Sequence, residues 1–198
     1  MKQLGTALIQ YTQEYDEKFP ITRDYGSLTD GKGWDERLGT YVGQKPSWGA
    51  TPLVFACPSD SIERASGGST RSYAINRYIE GPQTQVAPPS WASATWPGLS
   101  LAEFTAPSST FSLVEMPWQH SLFGNTNGSV CKGPGDAIDT VQTSESYQSA
   151  GSLTPLHLET YNYLFVDGHV KSIRPETTIG SGGTLTAPKG AWTMDAND

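Results

Sequence analysis

Side chains able to do chemistry are few in this chain. It holds three histidines, His120, His157 and His169, and two cysteines, Cys57 and Cys131. It contains no Gly-x-Ser-x-Gly elbow, phosphate-binding glycine loop, His-Glu-x-x-His helix or Cys-x-x-Cys pair. His157, Asp167 and a serine make a triad on paper, but serines are so common here that the coincidence means little. An extended chain rises ~3.3 Å per residue, so His157 and Asp167 at two ends of a strand would not touch. That argues against a catalytic dyad or a shared metal. His157 and His169 are too few for a zinc site unless carboxylates are placed to join them. No catalytic residue is assigned, and the chain is not read as an enzyme. His157 is expected to be structural, donating to a backbone carbonyl or a carboxylate where the chain enters a sheet. In the oxygen-rich loop Gly133 to Asp139, Asp136 and Asp139 are the carboxylates on hand for calcium, with backbone carbonyls completing the shell. Their spacing is not that of an EF-hand, and solvated acidic loop residues are the preferred reading.

These residues are positioned by elements that the sequence outlines unevenly. Tyr161 to Val166 is aromatic and β-branched, and His169 to Ile173 alternates apolar with polar, so both read as strands. Asp167-Gly168 between them tolerates positive φ at both centres of a tight hairpin turn, and Pro175 ends the second strand. Leu4, Leu8, Tyr11 and Tyr15 recur on one stripe of an amphipathic helix, which should stop between Asp16 and Lys18. Trp34 to Val42 suits a short helix with Trp34, Leu38 and Tyr41 (or Val42) on one side and Gly43 past its end. Leu53 to Cys57, Arg71 to Ile79 and Thr110 to Glu115 read as strands. Ser100-Leu101-Ala102-Glu103 is a capping box that starts one helical turn. Residues 81–98 and 118–152 are irregular excursions, and 191–194 is expected to be a last strand or a packing anchor. There is no internal repeat.

Bulk properties narrow the class. The chain of 198 residues carries 13 basic and 20 acidic side chains, net −7, with no basic run, so nucleic acid is not an expected partner. Charged residues are only 17%, while 21 Gly and 14 Pro indicate a loop-rich domain with β structure. Six Trp, nine Tyr and six Phe supply a core for one domain spanning 1–198. No stretch approaches the ~20 apolar residues of a membrane span. The first helix is already under way at Lys2 with no capping residue ahead of it, which raises the expectation that a further helical segment precedes it.

His157, nine residues, then Asp167-Gly168 resembles the C-terminal signature of bacterial prepilin-like proteins, the pseudopilins of type II secretion and type IV pilus-type systems. Other pieces match in the same order. Lys2-Gln3-Leu4-Gly5 leads through Tyr11 and Tyr15-Asp16-Glu17 to Phe19-Pro20. Phe55-Ala56-Cys57-Pro58-Ser59-Asp60, Ser72-Tyr73-Ala74-Ile75-Asn76 and Pro107 to Glu115 follow, and Gly190-Ala191-Trp192-Thr193 resembles the tail of some members. The resemblance implies an α+β, pilin-like fold, with residues 1–18 as the C-terminal half of a long helix lying on a small antiparallel sheet with long irregular loops. It implies a structural subunit of a filament at the periplasmic face of the bacterial inner membrane or the cell surface. Its partners would be other pilin-like subunits, met through an upstream apolar helix that also anchors it in the inner membrane. Thr6, Gly5 and Ala7 would allow close helix approach near the filament axis. Several pseudopilins bind calcium in a C-terminal loop, which bears on Asp136 and Asp139. In a chain of periplasmic character Cys57 and Cys131 are expected to pair, although Cys57 at the end of an apolar strand also suits a buried thiol. The rival reading is a secreted glycan-binding or adhesive module using Trp91, Trp96 and Trp118.

Overall fold

The first helix and the sheet it covers set the layout of the computed structural model, which describes residues 1–21, 32–43, 53–64, 67–80, 98–118, 121–124, 130–131, 133–134, 156–185 and 187–195. Among these, helix α1 runs Lys2–Glu14 and α2 runs Trp34–Gly39. Strands β1 (Tyr73–Asn76), β2 (Phe111–Glu115), β3 (Val130–Cys131), β4 (Tyr161–Phe165) and β5 (Val170–Ile173) form one sheet in the order β3-β1-β2-β4-β5. The class is α+β. The sheet is mixed rather than wholly antiparallel as expected, because β3 pairs parallel with β1, Ile75 opposite Val130 and Asn76 opposite Cys131. A parallel pairing needs a long crossover, and the long connection after β2 supplies one.

Leu4, Leu8 and Tyr11 are buried as their spacing demands. Burial of each leucine contributes about 1.5–3 kcal/mol. They pack with Tyr73, Ile75, Leu113, Leu164 and Val166 of the sheet. Tyr15 does not belong to that stripe. The helix ends at Glu14, so the Tyr15 ring leaves the helical row, stacks on Tyr11 at 4.2 Å and remains 48% exposed. Asp16 and Glu17 then take positive φ, and the Glu17 N–H closes onto the Thr12 carbonyl at 2.8 Å. The close approach available at Gly5 is used within this chain. A Cβ there would stand 2.8 Å from Leu164 Cδ1 and 2.9 Å from the Gly168 carbonyl oxygen, so helix and hairpin turn meet at a residue without a side chain.

The other face of the sheet is also covered. Phe111, Val114, Tyr161, Tyr163 and Phe165 gather around Trp192, whose indole N–H donates to Thr178 Oγ1 at 3.0 Å. Trp192 is thus the packing anchor, carried on a 3-10 turn over Gly190–Trp192. Both faces being dry explains why β1 and β2 are buried at every position. A bulge between Phe111 and Leu113 lets Ser112 donate to the Leu164 and Phe165 carbonyls.

Several local expectations shift. Leu53–Phe55 is a 3-10 turn, not a strand: Pro58 removes a nearby donor, and the Phe55 ring turns inward beside Trp34 and Phe123. β1 stops at Asn76 because the Asn76 carboxamide oxygen accepts from Tyr78 N and starts a 3-10 turn. The hairpin between β4 and β5 is a three-residue loop rather than a two-residue one. Phe165 pairs with His169, Gly168 N donates to Phe165 O, and only Gly168 has positive φ, at 91°. The Asp167 carboxylate instead accepts from His169 N at 3.1 Å and Nδ1 at 2.6 Å. The capping box at Ser100 and Glu103 is formed as read, and Gly43 ends the turn after α2 with φ 70°. Among the described residues no helix is long and apolar enough to cross a membrane.

Gly5→Ala tests the contact between α1 and the hairpin. Helix propensity alone favours alanine by about 1 kcal/mol. The clash with Leu164 and Gly168 should reverse the sign, with a loss of about 1–3 kcal/mol in urea unfolding. An increase in stability would show that the helix does not press on the turn.

Candidate functional site

Three segments distant in sequence meet at the upper end of β2. Glu115 closes that strand, Cys57 follows the 3-10 turn Leu53–Phe55, and His157 precedes β4. Glu115 is 1% exposed, and its carboxylate accepts from Asn162 N at 2.6 Å and Asn162 Nδ2 at 3.0 Å. His157 Nε2 lies 3.1 Å from Glu115 Oε1 and 3.4 Å from Cys57 Sγ. The His157 side chain is 31% exposed, so the cluster is closed on the Glu115 side and open on the imidazole side.

Local geometry explains how each is held. Leu158 and Glu159 both have positive φ, 47° and 70°, and Thr160 N donates to His157 O at 3.0 Å. This is a type I′ turn built without glycine or asparagine. It sets His157 back against Glu115 before the chain enters β4. Cys57 is fixed by its backbone: its N–H donates to Ser72 Oγ at 2.8 Å, and Ser72 Oγ donates to Asp60 Oδ2 at 2.6 Å. Asp60, itself buried, pairs with Arg64. Burial pushes the Cys57 thiol up from its ordinary value, and the Glu115 charge adds to this against an opposing effect of Ser59. The neighbouring Tyr73 phenol is pushed well up by burial first, then by the negative charge of Cys57 and Glu115.

His157 contacts a carboxylate, as read, but that carboxylate is Glu115, which the sequence reading did not single out. Its signal was a charged residue ending an otherwise apolar strand. Asp167 and Gly168 sit at the hairpin turn, where Asp167 pairs with His169 and not with His157. Cys57 and Cys131 are not disulfide-bonded to each other; both are buried thiols. They lie in separate core clusters on opposite faces of the sheet, and Cys131 Sγ donates to Gly133 O at 3.2 Å. Trp118 is 4% exposed and offers no stacking surface. Trp91, Trp96, Asp136, Asp139 and His120 lie outside the described residues.

Cys57, Glu115 and His157 each offer one ligand atom, and the three atoms lie within 4.8 Å of one another. They are the described residues able to hold a metal ion in this way. In its protonated form the same cluster is a satisfied hydrogen-bond network. No protein-family model, curated protein or solved structure matches the chain.

The geometry sets two responses of the fold, one to mutation and one to pH. Glu115→Ala leaves buried donors without an acceptor and should cost about 3 kcal/mol or more, whereas His157→Ala, with a half-open side chain, should cost about 1 kcal/mol. Equal losses in denaturant titrations would contradict the central place of Glu115. The second concerns alkaline pH. Cys57 and Tyr73 have raised values in the fold, so the native state holds their protons more tightly than the unfolded chain. The stability this provides is complete below the ordinary thiol value and is lost as pH rises above it. The urea midpoint should therefore be level through neutral pH and fall between about pH 9 and pH 12. A midpoint unchanged over that window would contradict the burial of both groups.

Proposed function

We propose that this chain is a structural, pilin-like subunit of a filament of a type II secretion or type IV pilus-type system. The observation that carries the reading is the contact of α1 with the hairpin at Gly5, Leu164 and Gly168. The two segments that most resemble the prepilin-like pattern, residues 2–19 and 157–168, pack directly on one another. The remaining pieces of the resemblance support it too. Cys57 and Asp60 are tied to Ser72. Asn76 donates to the carbonyls of Phe111 and Trp192, both at 2.9 Å. Glu115 joins His157.

In this reading α1 continues an apolar helix that anchors the subunit in the inner membrane and packs with its neighbours in the filament. The stripe Leu4, Leu8 and Tyr11 is then the part of that helix reserved for the subunit's own sheet. The globular part faces the periplasm or the cell surface, and its role is assembly rather than chemistry.

The test is made on the complete gene product. Its gene should encode a leader and an apolar run ahead of Lys2, and the tagged protein should fractionate with the inner membrane or with sheared filaments. Residues 1–198 alone should scatter light as a monomer. Ordered polymers formed by these residues alone, or a gene without an apolar run before Lys2, would overturn the proposal.

A further inference from the structure

We propose that Cys57, Glu115 and His157 form a binding site for a zinc-like divalent cation, with a fourth position open to solvent. The argument begins with the donor types. Thiolate, imidazole and carboxylate are the set that a borderline-soft, tetrahedral ion takes, and calcium or magnesium does not accept sulfur. Distances come next. Bonds of about 2.0–2.3 Å arranged tetrahedrally separate ligand atoms by roughly 3.3–3.6 Å. The two separations through the imidazole are 3.1 Å and 3.4 Å, within a few tenths of an ångström of those values, and all three ligand atoms lie within 4.8 Å of one another.

Charge and support also fit. With the ion bound, thiolate and carboxylate balance its two positive charges. Starting from the carboxylate, a neutral imidazole and the thiol, binding releases the thiol proton to solvent, while the imidazole carries its proton on Nδ1 and gives Nε2 to the metal. Nothing is oxidised or reduced. Glu115 keeps its Asn162 donors, which orient the carboxylate as an outer shell does in built metal sites. Cys57 is positioned through its backbone bond to Ser72. The ligands come from three segments, so the ion would staple the loop after Leu53–Phe55, the end of β2 and the start of β4. The partly exposed His157 edge leaves room for a water as fourth ligand.

The exposed His169–Asp167 pair is the competing surface site, with Nδ1 and Oδ1 2.6 Å apart. Cobalt(II) separates the two, because only Cys57 gives a thiolate-to-cobalt charge-transfer band. Titration of the reduced protein with cobalt(II) should show that band, together with tetrahedral d–d absorption, saturating at one equivalent. Zinc should displace the cobalt and protect Cys57 from alkylation. Cys57→Ser should remove the band, His157→Ala should weaken binding about tenfold or more, and His169→Gln should change neither. Circular dichroism of the two conservative variants, Cys57→Ser and His169→Gln, checks folding. Absence of the charge-transfer band in the folded wild-type protein would overturn the proposal. So would binding that survives Cys57→Ser and disappears in His169→Gln. Neither result bears on filament assembly.

Discussion

A carboxylate placed in a dry core must be fully hydrogen-bonded, and Glu115 imposes that demand on everything around it. An unpaired ion there costs several kcal/mol, so the chain can close only in ways that bring donors to it. Asn162 brings two, from its backbone and its side chain, and that fixes where β4 begins against β2. His157 brings a third, and reaching it forces the chain through a tight turn with Leu158 and Glu159 at positive φ. Two left-handed non-glycine residues together cost a few kcal/mol. Leu158 is 95% exposed, so no burial of its own side chain offsets the strain. What offsets it is the Glu115 carboxylate that the neighbouring His157 reaches.

The same need for satisfaction organises the rest of the sheet. β1 and β2 are buried at every position, so Asn76 and Ser112 cannot turn to water and bind backbone instead, whereas the edge strand β5 exposes Lys171 and Ser172. Asn76 joins β1 to the carbonyl of Phe111 and to the segment bearing Trp192. Ser112 closes the bulge in β2 against β4. Arg71 pairs with Asp35 at 2.6 Å, both fully buried, and Gly124 N also donates to Asp35. Such links are specific in a way that apolar contacts are not. A leucine tolerates any neighbour of the right volume, whereas a carboxamide needs its acceptors at one distance and angle.

This contrast explains what could be read from the sequence. Periodicity revealed α1, β5 and the short helix at Trp34, while aromatic, β-branched or apolar composition revealed the cores of β4 and β2. The capping box at Ser100 and Glu103 was legible for a local reason, since both partners lie within one turn. Leu53 to Cys57 failed because a short apolar run reads alike as a strand or a turn, and only the placement of Phe55 among other rings decides it. Tyr15 failed because spacing does not say where a helix stops. The disulfide failed on topology: Cys57 and Cys131 each lie next to turn-forming residues, but the sheet separates the clusters they belong to. Glu115 was invisible as a partner for His157, since 42 residues separate them and no pattern marks the pair.

His157 and Asp167-Gly168 illustrate the same division within one signature. Their fixed separation suggests a pair, yet the two ends do unrelated work. The far end is backbone geometry, where Gly168 supplies a left-handed residue and lets α1 lie close through Gly5. The near end is polar chemistry, where His157 answers a carboxylate on another strand. The separation between them follows from the length of β4 together with its two turns. A strand of Tyr161–Phe165, the turn Leu158-Glu159 before it and the loop Val166 to Gly168 after it fill the interval. Lengthening β4 by one residue would keep both residue types and break both functions, since a slip of one moves every side chain to the other face. A single insertion between Tyr161 and Phe165 would thus turn Asn162 or Leu164 away from α1, leaving either Glu115 without its donors or Gly5 without its contact.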